Sequence, residues 1–127
     1  MAFFDEGIYD PMTGLLAPIY FYESSKRLCS WAERTHRTTS LIAIYLGTLG
    51  EDEIIKCATN LSVELRGGDL LARMSHRVFV LHMIGDELGA EQLIFRLKNT
   101  IKLPLTFKVT ELREGEEIKH ALSRLYV

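Results

Sequence analysis

Leu41-Ile42-Ala43-Ile44-Tyr45-Leu46 restricts the fold more than any other feature of this chain. The run is continuously apolar and holds no glycine, proline or charge. A half-buried strand alternates apolar and polar residues, whereas a strand covered on both faces does not need to. The run is also far too short to cross a bilayer. It predicts a central strand buried on both sides.

The segments around it read as helices and shorter strands. Asp10-Pro11 and Thr13-Gly14 are turn chemistry, and Pro18 suits a first helical turn, where its missing N–H costs nothing. A helix is predicted over 18–37, with Phe21, Leu28, Trp31 and Ala32 at helical spacings. Glu51, Asp52 and Glu53 open a second helix at its positive end, with Ile54, Ile55, Ala58 and Leu61 as its apolar stripe. Gly67-Gly68 is expected to end it.

Short strands are predicted over 70–74 and 78–83, with a tight turn near Ser75-His76. Gly85 to Gly89 reads as a break before a helix carrying Ala90, Leu93, Ile94, Leu97 and Ile101. Pro104 stops that helix, and Leu105, Phe107 and Val109 alternate as a strand does. A last helix is predicted over 114–126. The order after the first helix is β-α-β-β-α-β-α. It predicts an α+β fold, a ferredoxin-like βαββαβ sheet with helices packed on it.

Composition narrows the function classes. The chain has 127 residues, 47% hydrophobic and 25% charged, which suits one globular domain over 1–127. A net charge of −2 does not suit a nucleic-acid polymer as partner. Met1 to Glu6 lacks the basic start and long apolar stretch of a signal peptide, so the expected location is the cytoplasm, without membrane insertion. Cys29 and Cys57 form no CxxC pair and read as reduced, buried thiols. His36, His82 and His120 show no metal spacing, and His82 is expected on the less buried face of its strand.

Several segments resemble the GGDEF (diguanylate cyclase) family, and they occur in the family's order. Asp10-Pro11-Met12-Thr13-Gly14-Leu15 resembles the D-x-L-T-G-L motif, and Phe21 falls near the aromatic position that follows it. Asp69-Leu70-Leu71-Ala72-Arg73 resembles the run into the signature hairpin, and Phe79-Val80-Leu81 the strand leaving it. Ala121 with Leu125-Tyr126 resembles the closing helix. The resemblance implies a nucleotide-cyclase-like fold.

The departures from the pattern bear on chemistry. The signature pentapeptide falls at Ser75-His76-Arg77-Val78-Phe79, where only the phenylalanine survives. The family's glycines let the nucleotide approach the backbone, and its acidic residue helps to hold a metal that wants carboxylate oxygens. The second metal carboxylate belongs near Tyr45, Leu46 and Gly47, and none of these is acidic. The family's guanine-contacting segment after that strand has no counterpart. Phosphoryl transfer depends on positioning and charge neutralisation, so no catalytic residue, metal or cofactor is expected. A competing alignment takes Gly67-Gly68-Asp69-Leu70-Leu71 as the signature, but a helix rather than a strand precedes those glycines.

The resemblance also implies a ligand site. The family's product-inhibition motif, R-x-x-D, leaves five residues between its aspartate and the signature, and Arg66-Gly67-Gly68-Asp69 stands at that distance before Ser75. Arg96 falls near the family's second arginine. The expected ligand is cyclic di-GMP: Arg66 and Arg96 would bond guanine or phosphate, and Asp69 would accept from a guanine edge. Against this stands a plainer reading, in which Arg66 faces the helix end, the glycines form its C-cap and Asp69 makes an exposed salt bridge to Arg66. The functional expectation is a non-catalytic cyclic di-GMP receptor. The alternative is a ligand-free dimerisation or interaction module that docks a copy of itself or a signalling protein. His76 and Arg77 read as a solvated basic tip, and the charged run from Glu111 to Lys119 as a solvated helix face.

Overall fold

A computed structural model describes residues 8–126. The expectation about a signal peptide concerns residues outside that range. Helix α1 spans Pro18–Thr35, β1 Thr39–Tyr45, α2 Glu51–Val63, β2 Leu70–Ser75 and β3 Val78–Ile84. Helix α3 spans Glu87–Thr100, β4 Thr106–Glu111 and α4 Ile118–Leu125. The strands form one antiparallel sheet in the order β2-β3-β1-β4, the expected ferredoxin-like plan with an added first helix.

The apolar run behaves as its composition requires. Ile42, Ile44 and Leu46 pack with Ile54, Leu61, Leu93 and Leu97 beneath α2 and α3. Leu41 and Ala43 point the other way and pack with Phe21, Ala121, Leu122 and Leu125 of α1 and α4. Strand β3 repeats the division, with Phe79 and Leu81 on the first face and Val80 on the second. β1 is thus a central strand covered on both sides.

Several local expectations are corrected. α2 ends at Val63, and its cap residue Glu64 is right-handed (φ −86°), so Gly67-Gly68 is not its C-cap. Ile55 faces solvent and Cys57 completes the apolar stripe, because 54, 57, 58 and 61 follow the helical period more closely. Gly89 lies inside α3, where its N–H donates to the Asp86 capping carboxylate at 2.9 Å.

The last helix begins at Ile118 rather than at Glu114. Gly115 turns the chain at φ +74°, and Glu116 accepts from the Arg113 N–H at 3.0 Å, which locks a turn there. His82, expected near the surface, is fully buried between α1 and the sheet. Its Nδ1 lies 2.9 Å from Ser25 Oγ and its Nε2 2.9 Å from Thr39 Oγ1. Cys57 is buried and Cys29 only half-buried, both as free thiols. Among the described residues no helix is long and apolar enough to cross a membrane.

Candidate functional site

Arg66, Asp69 and Arg96 come from separate parts of the fold. Arg66 and Asp69 sit in the turn between α2 and β2, and Arg96 lies on α3. The turn is tied by its own polar groups. Asp69 N–H donates to Arg66 O at 3.1 Å, and Asp69 Oδ2 accepts from Arg66 N–H at 3.0 Å. Asp69 Oδ1 accepts from Ile84 N–H at 3.3 Å, which joins the turn to the end of β3. Gly68 has φ +94°, and a Cβ there would meet Ile84 Cδ1 at 3.0 Å. The positive φ favours glycine here, and a Cβ would in addition press on the flexible end of Ile84.

The three residues line one open cleft of about 190 Å³. Met83, Ile84 and Leu93 give it apolar surface, and Gly85 and Gly89 keep its rim low. The cleft is smaller than the about 300–1,000 Å³ of pockets that enclose a drug-sized ligand. It suits one base or phosphate group, with the rest of a larger ligand lying on the surface. Both arginines are exposed, and among the described residues neither is in an ion pair. The expected Arg66–Asp69 salt bridge is not formed, because the carboxylate bonds the backbone instead. Each of its oxygens keeps further acceptor capacity.

Ser75 to Phe79, the segment aligned with the signature by resemblance, lies at the other end of the sheet. His76 and Arg77 form the two-residue tip between β2 and β3, after a bulge between Arg73 and Ser75. The tip is exposed, as expected, and it is also tied to its surroundings. Arg77 donates from its guanidinium to Leu49 O, and Arg77 O accepts from Leu46 N–H at 2.9 Å. Arg73 holds His76 O at 3.0 Å from one side of its guanidinium and Asp10 Oδ2 at 3.2 Å from the other. Val78 pairs with Tyr45, and Phe79 is buried opposite Ile44. Tyr45 donates its hydroxyl to Leu125 O at 2.7 Å. A guanidinium, a tied phenol and aliphatic side chains do not fit a divalent cation. Among the described residues no three His, Cys, Asp or Glu side chains converge on one point.

Two ion pairs carry polar structure that the sequence reading did not anticipate: Asp10 with Arg73, and Glu116 with Arg124. Burial opposes ionisation of Asp10, but hydrogen bonds from Thr13 and Arg73 outweigh it and hold the carboxyl below its ordinary value. Glu116 is held down to about 2, chiefly by the hydrogen bond from Arg124. The spacing of eight between Glu116 and Arg124 across a turn and a helix is not a pattern that periodicity reveals.

The sheet order, the crossing helices and the added α1 define the class of fold: a nucleotide-cyclase-like α+β domain. More specifically, it is the fold of the GGDEF domains of diguanylate cyclases. The diguanylate cyclase SiaD of Pseudomonas aeruginosa, solved with its activator SiaC, superposes with a TM-score of 0.82 at 20% identity. The match covers 97% of this chain and 56% of that one, so the chain spans little more than half of SiaD's length. A sensory box/GGDEF family protein of Caulobacter crescentus gives 0.78 at 20% identity, over 92% of this chain and 91% of that one. The DgcB GGDEF domain of Caulobacter crescentus, solved in complex with c-di-GMP, gives 0.79 at 15% identity, over 92% and 84%. No protein-family model and no curated protein sequence matches the chain. At these identities the likeness establishes the fold, and the chemistry rests on the residues.

Proposed function

We propose that this chain is a non-catalytic cyclic di-GMP receptor in a GGDEF fold, binding through Arg66, Asp69 and Arg96 in the cytoplasm. The observation that carries the reading is that these three residues line one cleft. Two unpaired guanidinium groups there offer bidentate donors for guanine O6 and N7 or for phosphate oxygens. The same fold in DgcB has been solved with c-di-GMP. The non-catalytic part rests on Ser75 to Phe79 and Tyr45 to Gly47, which provide no metal carboxylate.

Isothermal titration with cyclic di-GMP tests the reading. Wild type should bind with micromolar affinity, and Arg66→Ala and Arg96→Ala should each lose about 2–5 kcal/mol, enough to abolish detectable binding. Incubation with GTP and magnesium should yield no product. No binding by wild type at high micromolar ligand overturns the receptor, and turnover of GTP overturns the non-catalytic assignment.

One observation favours a second reading, a ligand-free interaction module. The Asp69 carboxylate already accepts two backbone N–H groups, so the Arg66–Asp69 turn is complete without a ligand. Under that reading Arg66→Ala leaves every measurable association of the chain unchanged.

A further inference from the structure

The two edges of the sheet are treated differently. Beside β2, Leu16 forms a parallel bridge: its N–H donates to Leu71 O at 3.1 Å, and its O accepts from Arg73 N–H at 2.9 Å. Beside β4, among the described residues, no strand follows. Leu112 N–H donates to Thr39 O at 2.9 Å, and the pairing of β4 with β1 is regular. By the alternation of an antiparallel ladder, Thr106, Lys108 and Thr110 turn their backbone toward β1, and Phe107, Val109 and Glu111 turn theirs outward. Glu111 O is taken by the Arg124 guanidinium at 3.1 Å. The N–H and C=O groups of Phe107 and Val109 remain as an open template.

The flank above this edge is apolar and dipolar. A cleft of about 440 Å³ runs between α3 and β4, with Ile94, Phe95, Phe107 and Val109 along it. Phe95 is 69% exposed and Leu88, on the same side of α3, is 63% exposed. Glu87 and Glu91 stand at one end, where Glu87 N–H donates to Glu111 Oε1 at 2.9 Å. Lys98 stands at the other, its Nζ 5.9 Å from the centre of the Phe107 ring.

We propose that this flank is the interface of a homodimer, in which β4 of two copies pair antiparallel about a two-fold axis and continue the sheet. The charge order selects this occupant. A two-fold axis brings Glu87 and Glu91 of one copy against Lys98 of the partner subunit, and does so twice. A strand added in the parallel sense would set like charges together. Pairing would also cover Phe95 and Leu88 against the partner subunit's α3. Gln92 and Arg96 face the other flank of the helix, into the Arg66 cleft. The dimer therefore forms with or without a nucleotide, and its failure leaves the receptor reading standing.

Sedimentation equilibrium from low to high micromolar chain tests the proposal. Wild type should show a monomer–dimer equilibrium unaffected by cyclic di-GMP and by Arg66→Ala. Val109→Pro removes one outward N–H without touching the ladder to β1, and should weaken dimerisation about tenfold or more. Lys98→Glu should weaken it similarly, and adding Glu91→Lys should restore it; this rescue does not depend on how well the proline variant folds. A wild type that stays monomeric overturns the proposal. So does a dimer indifferent to both substitutions, or one that forms only with nucleotide.

Discussion

His82 sits beneath α1 with each ring nitrogen against a hydroxyl, and Ser25 and Thr39 can each donate or accept as its tautomer requires. A neutral ring is satisfied there, and a charged one is not solvated. Burial accordingly pushes its pKa down from 6.5 to about 4. The unfolded chain takes up this proton near pH 6.5 and the native chain only near pH 4, so acid favours unfolding between those values. The stability carried by neutral His82 is complete above pH 6.5 and is lost as pH falls toward about 4. It amounts to about 3 kcal/mol. Urea titrations across that window should show this slope in wild type, and His82→Phe should flatten it. A second residue-scale test uses the Arg66 turn. Gly68→Ala should destabilise by about 1–2 kcal/mol, because φ is +94° and the Ile84 side chain must shift to admit the methyl. Gly67→Ala, with open space around its Cβ, should change stability little.

At the scale of elements, the sequence is readable wherever a period or a breaker decides. All eight elements occur in the predicted order. The apolar run of β1 pointed to a buried strand, which it forms, and the last helix occurs within the range expected for it, with Ile118, Ala121, Leu122 and Leu125 buried. The misplaced boundaries have a common cause: a side chain or glycine makes a contact that propensity does not encode. Asp86 pulls Gly89 into a helix, and Glu116 spends its carboxylate on a turn and on Arg124. Arg124 also donates to Thr110 Oγ1 and Glu111 O, so it ties α4 to β4. Arg124→Ala should speed amide exchange in α4 and at the end of β4, at a stability cost of about 1–3 kcal/mol. Unchanged exchange in α4 would show that its apolar face alone holds it.

For the whole molecule, the candidate site was readable as three residue numbers, but its surroundings were not. The turn to Ile84 and the apolar floor depend on the end of β3 lying beside both the Arg66 turn and α3, and no local pattern carries that long-range placement. The same holds for the contact that closes the chain start onto the sheet. The Arg73 side chain is only 9% exposed, and among the described residues its Nε has no partner and its one ion pair is to Asp10 at 3.2 Å. Asp10 in turn accepts from Thr13 N–H at 2.9 Å and Thr13 Oγ1–H at 2.7 Å, which shapes the turn that brings Leu16 beside β2. Removing the carboxylate leaves a nearly buried guanidinium without counter-charge. Asp10→Ala should therefore cost about 3–5 kcal/mol. Arg73→Met, which removes the buried charge itself, should cost less than Asp10→Ala, and the double variant should be no worse than Asp10→Ala alone. Denaturant unfolding of the four proteins measures the coupling. Additive losses would mean that Asp10 and Arg73 act independently, and that the β2 edge is held by the Leu16 bridge without them.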